Sequence, residues 1–242
     1  MLILLATILR QQGSDYRGMR NLACLCLLLA VLVACSNDAY DSGDTSLSYL
    51  HAEMAMVHVE GRSVKSVITD AGDRLMLADD ASVSSYLEKN DTTYRMMLYY
   101  NKVSDESPVR LVSMQTVPLL NPIDRDSIET VMTDPVTLVS AWQSANGSYL
   151  NLLLGLKTGN ADDASLKQRL GLVCDSVIIS NEGTARRYYT LYHNQNSIPE
   201  YYTQNVYVSV PADSFMQGDS IYVNVNSYDG MLTRVFCIDK RV

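Results

Sequence analysis

From residue 50 onward the chain alternates apolar and polar positions with a period of two. Ala55, Val57 and Val59 alternate with Met54, Met56 and His58, the pattern of a half-buried strand. A second strand spans Val64 to Ile68. The Asp70-Ala71-Gly72-Asp73 turn leads into Arg74-Leu75-Met76-Leu77, and further strands cover 95–100 and 109–117. Asp79 and Asp80 precede Val83, Tyr86 and Leu87, a spacing that predicts a short helix with acids at its first amides. Four or five strands with one short helix suit a small curled barrel over 50–118.

Pro118 to Asp124 carries two prolines and an Asn, and reads as a crossover. Asp134-Pro135 then predicts a second short helix, with Val136, Val139 and Trp142 as its inner stripe. Leu150, Leu152, Leu154 and Leu156 alternate with Asn151, Leu153 and Gly155, the clearest strand in the chain. Strands follow at 172–179 and 187–193. Val206, Val208 and Val210 oppose Tyr207 and Ser209; Ile221, Val223 and Val225 oppose Tyr222, Asn224 and Asn226. Leu232 to Ile238 is the last strand. Short strands with one covered face and polar turns predict a sandwich. The expected organisation is a mainly β chain: a barrel over 50–122 and a sandwich over 130–242.

The amino-terminal residues follow a different pattern. Leu22 to Ala34 are apolar without interruption, 13 residues preceded by Arg20. A transmembrane helix needs about 20, whereas a signal-peptide core needs fewer. Leu32-Val33-Ala34-Cys35 ends this run and resembles a bacterial lipoprotein signal. It implies cleavage before Cys35 and acylation of its thiol, with several chains anchoring the protein at about 0.8 kcal/mol per buried methylene. Residues 1–18 read as an upstream extension, since Met19 makes the more natural start. The extension and signal peptide therefore occupy 1–34, and residues 35–49 are a flexible acidic tether. Ser36 after the cysteine resembles signals that send lipoproteins to the outer membrane, and Asp38, Asp41 and Asp44 resemble surface-export signals.

Removing Arg10, Asp15, Arg17 and Arg20 with the signal leaves 16 Lys plus Arg against 26 Asp plus Glu, a charge of −10. Such a surface repels phosphate backbones, which excludes nucleic acid as a partner. The membrane is reached through the lipid, and an envelope protein or glycan is the remaining partner class. Cys174 and Cys237 are the two thiols beyond the anchor; outside the cytosol they could pair or remain buried and free. Of the 16 tyrosines, 15 follow Cys35, as suits a solvent-rimmed β protein. Trp142 is expected to wedge between the two β bodies, or with Tyr149, Tyr201 and Tyr202 to form a ligand platform.

The lipoprotein signal, the Asp134-Pro135…Ala141-Trp142…Tyr149-Leu150-Asn151 segment and the Tyr201–Val210 strand together resemble the NigD-like lipoproteins of Bacteroides-type bacteria. The resemblance covers residues 35–242. It implies an OB-like amino-terminal barrel, a carboxy-terminal sandwich and a bacteriocin-immunity or accessory role, and it supplies no catalytic residues.

Candidate chemistry is sparse. His51 and His58 could meet across a hairpin, but no third ligand joins them for zinc. His58 and His193 read as surface or sheet-edge residues. Asp79-Asp80 and Asp162-Asp163 are neighbouring acids whose carboxyls point apart, unlike a glycosidase pair. No cofactor motif or nucleophile elbow occurs. The expectation is a non-enzymatic, membrane-tethered binding or accessory protein. Toxin immunity is the alternative, and an envelope hydrolase the remote one.

Overall fold

The computed structural model describes residues 49–84, 87, 89–102, 108–161, 163 and 165–240. Cys35 and the expected signal segment and tether, up to Ser48, lie outside them. From Tyr49 onward the chain packs as one compact unit. Its strands are β1 (Leu50–Gly61), β2 (Ser63–Thr69), β3 (Arg74–Leu75), β4 (Lys89–Asn101), β5 (Arg110–Thr116), β6 (Pro122–Asp124), β7 (Thr137–Gln143), β8 (Tyr149–Thr158), β9 (Arg169–Ile179), β10 (Ala185–Asn194), β11 (Tyr202–Pro211), β12 (Ser220–Ser227) and β13 (Gly230–Cys237). The mainly β expectation holds, and no α-helix occurs among the described residues.

The amino-terminal sheet has the order β3-β2-β1-β4-β5. β1 and β4 are long and bent, with register shifts at His58/Val59, Val59/Gly61 and Tyr99/Tyr100. Such shifts increase local twist and curl a sheet. Ala55, Val57, Val59, Val67, Met96 and Leu98 fill its inside, as the alternation predicts. The curl is not a closed barrel among the described residues. A parallel bridge joins Leu77 to Val109, and Ser63 bridges Ser82. Beyond Val109 the two walls part, because residues 81–83 hydrogen-bond Arg62 and Val64, at the β1–β2 turn and the start of β2, instead of β5.

The sandwich pairs a five-stranded sheet, β13-β12-β10-β9-β6, with a three-stranded one, β11-β8-β7. Leu150, Leu152, Leu154, Val208 and Val210 meet Leu172, Leu191, Ile221, Val223 and Val225 in its core. The expectation of one covered face fails for the small sheet. Its far side carries Tyr207, Ser209, Asn151 and Trp142, and packs on Met54, Met97 and Val117 of the amino-terminal half. The small sheet is thus a middle layer shared by both halves, and the whole is three layers deep.

Both predicted helices are corrected. Residues 137–143 form β7, paired with β8 around a bulge between Leu138 and Ser140. Val136 is fully buried while Val139 is half exposed, so the supposed helical stripe is split between faces. Thr137, Val139 and Trp142 favour a strand, and a helix this short is marginal without strong packing. Asp134 does not cap a helix; its carboxylate accepts from Gln195 N–H at 2.7 Å. In the other predicted helix, Ala81 O accepts from Val64 of β2, Val83 N–H donates to Arg62 O in the turn before it, and Leu87 N–H donates back to Ser84 O; Tyr86 lies outside the described residues. The crossover at 118–124 contains a short strand after all. β6 runs parallel to β9 from Pro122 to Asp124, with proline at its first position, where the missing N–H costs least.

Candidate binding site

Two features compete for attention: a buried polar cluster where the halves meet, and an open cleft in the amino-terminal sheet. The cluster centres on Arg95, which β4 points outward onto the middle sheet with its side chain 1% exposed. Its guanidinium forks onto Asp70, with Nη1 donating to Oδ1 and Nη2 to Oδ2 at 2.8 Å. Nη2 also donates to Asn151 Oδ1 at 3.1 Å and Nε to Ser209 Oγ at 3.2 Å. Ser209 Oγ–H donates to Asn151 Oδ1 at 2.7 Å, and Asn151 Nδ2 donates to Asp70 Oδ2 at 3.2 Å. The Tyr149 ring lies 4.0 Å from the guanidinium carbon, a cation–π contact strengthened by desolvation. Burial is the first cause that raises the Tyr149 hydroxyl pKa, and Arg95 opposes it.

Asp70 reaches this cluster because its turn is tight. Thr69 N–H donates to Asp73 O, Gly72 N–H donates to Thr69 O, and Gly72 takes φ +93°, a conformation glycine adopts without steric cost. The residue that reads as a turn former is therefore also a buried counter-ion. The cluster's polar groups are turned on one another, so it joins two halves of the molecule and holds no free nucleophile.

The predicted site residues are dispersed. Trp142 packs edge-on against Tyr207, centroids 6.4 Å apart, over Met54 and Met97. Tyr149 covers Arg95 and donates its hydroxyl to Met56 Sδ at 3.1 Å. Both are junction residues. Tyr201 and Tyr202 are exposed, at 78% and 58%. Tyr202 pairs with Thr158, whereas Tyr149 pairs with Pro211 at the other end of the same ladder, about 30 Å away at 3.4 Å per residue. The four aromatics form no common platform.

Cys174 and Cys237 are both free. They lie on β9 and β13, which β10 and β12 separate. Three ladder spacings make about 14 Å, too far for a disulfide. The Cys174 thiol is pushed up by burial first and by Asp124 next, the opposite of a reactive cysteine.

His51 and His58 occupy one strand, seven residues apart, and cannot meet. His51 stacks on Tyr100, and His58 contacts Thr93 and Asp91. His193 is not a surface residue. It is 1% exposed, with Nδ1 3.0 Å from Asp134 O and Nε2 3.0 Å from Gln168 Oε1. Gln168 Nε2 donates to Lys157 O at 2.7 Å, which orients its carbonyl toward the ring. Asp163 binds Ser165 N–H locally, and Asp162 lies outside the described residues. No group of three metal-ligating side chains occurs among the described residues.

The open feature is a cleft of about 310 Å³. One wall is β5, the edge strand of its sheet, from Arg110 to Thr116. The other wall is the segment Asp79–Ser84, which bends at Asp79 and bridges Ser63 at Ser82. Met96, 1% exposed, and Val83, 3% exposed, lie at its base with Leu87, Leu111 and Met114. At the rim Arg110 Nε pairs with Asp79 Oδ2 at 3.2 Å, both side chains largely exposed. Residue spacing alone does not reveal the cleft, since it arises where a curled sheet fails to close.

The fold recurs in solved structures. A protein of unknown function from Bacteroides vulgatus is 20% identical with a TM-score of 0.59, the match covering 78% of this chain and 91% of that one. A NigD-like immunity protein from Bacteroides caccae is 24% identical with a TM-score of 0.57, over 78% and 97%. A protein from Bacteroides fragilis, named as a candidate lipoprotein, is 11% identical with a TM-score of 0.55, over 80% and 99%. The search of curated proteins returned no match. These structural matches extend beyond the sandwich into the amino-terminal half. The family model for the NigD-like C-terminal beta sandwich domain matches residues 115–237, just over half of the sequence, and the chain belongs to that family.

Proposed function

We propose that this chain is a non-enzymatic lipoprotein of the bacterial cell envelope, tethered through acylated Cys35, and that it acts by binding. One observation carries the reading. The buried carboxylates Asp70 and Asp219 are both consumed by internal donors, while the cleft along β5 stands open, with Leu87, Leu111 and Met114 half-buried in it. Burial of charge here serves structure, and the accessible feature offers contact surface instead of a reactive group. The lipoprotein signal supplies the location, and the name of the Bacteroides fragilis relative agrees with it. The outer membrane is the destination that Ser36 suggests.

Metabolic labelling with an alkyne fatty acid tests the tether. The native chain incorporates label and sediments with membranes, whereas Cys35→Ala does neither. An unlabelled native chain in the soluble fraction refutes the reading. A second reading, toxin immunity, rests on the name of the Bacteroides caccae relative. It requires that deletion of the gene sensitise cells to a toxin from a related strain, and unchanged sensitivity excludes it.

A further inference from the structure

We propose that the cleft along β5 accepts an extended polypeptide strand from a partner protein, which completes the interrupted curl of the amino-terminal sheet. The proposal deepens the binding reading above and rests on it. Four observations converge on a strand as the occupant.

First, β5 pairs on one side only, with β4. Among the described residues, nothing pairs with its outer edge beyond Val109, so alternate N–H and C=O groups there face the cleft. Second, the opposite wall is strand-like around Ser82, which bridges Ser63. Ala81 O accepts from Val64 N–H and Val83 N–H donates to Arg62 O, both at 2.9 Å. Alternation then turns the main-chain groups of Ser82 the other way, toward β5. Third, the walls start together. Val109 N–H donates to Met76 O at 2.7 Å and Ala78 N–H to Val109 O at 2.9 Å, and the cleft opens from that pinned end. Two main-chain edges diverging from a hydrogen-bonded bridge leave a vacancy of strand shape.

Fourth, the lining chemistry fits a peptide better than a sugar or a small polar ligand. None of the described lining residues is aromatic, so a pyranose has no ring face to stack upon. The rim charges Arg110 and Asp79 satisfy each other and do not converge on a bound group. Half-buried Leu111, Met114 and Leu87 line the cleft above the buried Val83 and Met96, which suits inward apolar side chains at every second residue. β5 from Arg110 to Thr116 is about 20 Å long, room for six or seven residues. Asp80 stands at the rim beside the Asp79–Arg110 pair and favours a Lys or Arg in the incoming strand. Main-chain hydrogen bonds would supply affinity and alternate side-chain pockets specificity.

The test uses the mature chain without its acylated cysteine, residues 36–242, which keeps the whole compact unit from Tyr49 onward, and a display library of random linear ten-residue peptides. Enriched peptides are expected to lack proline centrally, to alternate apolar and polar residues and to carry a basic residue. A synthetic copy should shift the amide resonances of Ser82 and of 111–116, and leave those of Val223 and Val225 in place. N-methylation of alternate peptide nitrogens should weaken binding at least tenfold. Val112→Lys, at a half-exposed position of β5, should weaken it similarly while the far-ultraviolet spectrum stays native. Asp80→Asn should cost a few fold and reduce the salt dependence. No enrichment, or indifference to N-methylation, overturns the proposal. Resonance shifts confined to another face also overturn it, yet leave the binding reading standing.

Discussion

Removing the charge of Asp70 is the sharpest test of how the two halves hold together. Asp70→Asn keeps the shape of the side chain and leaves Arg95 a buried cation with only neutral partners. Breaking a buried pair from one side costs about 3–5 kcal/mol. The Asp70 side chain keeps 13% exposure, so water relieves part of the penalty and the lower end, ~3 kcal/mol, is expected. At 2–4 °C per kcal/mol for a domain of this size, the melting temperature should fall by about 6–12 °C. Arg95→Met tests the pair from the other side, since a thioether fills similar volume beside Met54 and Tyr149. The double variant Asp70→Asn/Arg95→Met should lie well above the sum of the two, by at least ~1.5 kcal/mol, because the second change removes the stranded charge left by the first. The assay is urea unfolding followed by circular dichroism and by fluorescence of Trp142, the single tryptophan, which reports the junction directly. The two signals should coincide in the native chain and separate in Asp70→Asn. A loss below ~1 kcal/mol, or additive single variants, refutes the claim that this cluster couples the halves.

Two further outcomes follow from the geometry. Burial alone would raise the carboxyl pKa of Asp219, but the Met216 and Ala185 amides and Arg187 outweigh it and hold it below the usual range. A depressed folded pKa adds stability above the unfolded carboxyl value of about 3.9, and loses it as pH falls through the folded value. Asp219→Asn should therefore lower the urea midpoint at pH 7 and flatten the loss of stability as pH falls below about 4; an unchanged slope contradicts this. With both thiols free, a maleimide should label exposed Cys237 quickly and Cys174 slowly, and reductant should leave the melting temperature unchanged. Non-reducing electrophoresis that shows an intramolecular disulfide contradicts the strand order.

The core of the fold is legible in the sequence because burial there is one-sided and periodic. Ala55-Val57-Val59 and Leu150-Leu152-Leu154-Leu156 declare their inner faces by alternation. What fails is any prediction about a strand with two buried faces. Asn151 and Ser209 occupy the polar positions of otherwise apolar strands, which reads as solvent exposure, yet both are fully buried. Their signal is discordance: an uncharged hydrogen-bonding residue flanked by apolar ones, repeated on neighbouring strands and opposed by Arg95, which stands between Tyr94 and Met96. The helix predicted at 134–142 fails for a related reason. Val136 joins the sandwich core, Trp142 the junction on the opposite side, and Val139 stands exposed at the bulge, so a spacing of three here marks no common face, and local periodicity over so short a run does not distinguish helix from strand. The cleft is beyond sequence reading altogether, since it depends on where residues 81–83 find their hydrogen-bond partners.

Junction and cleft are consecutive on β4, which gives the arrangement a mechanical consequence. Arg95 points to the middle sheet and Met96, its neighbour, points inward to the base of the cleft. Val117 N–H, just past the end of β5, donates to Arg95 O at 2.9 Å, so the strand that walls the cleft is also fastened at Arg95. A binding edge gains affinity when its conformation is fixed beforehand, and the expectation is that the buried cluster around Arg95 does the fixing here. Ser209→Ala removes one hydrogen bond to Arg95 and one to Asn151 without leaving a charge unpaired, at a cost of about 1–2 kcal/mol. Amide hydrogen exchange should then accelerate across 111–117 as well as around residue 209, while the far sheet at 221–225 changes only by the global loss. If exchange on β5 follows the far sheet instead, the junction does not brace the cleft, and the two features are neighbours by topology alone.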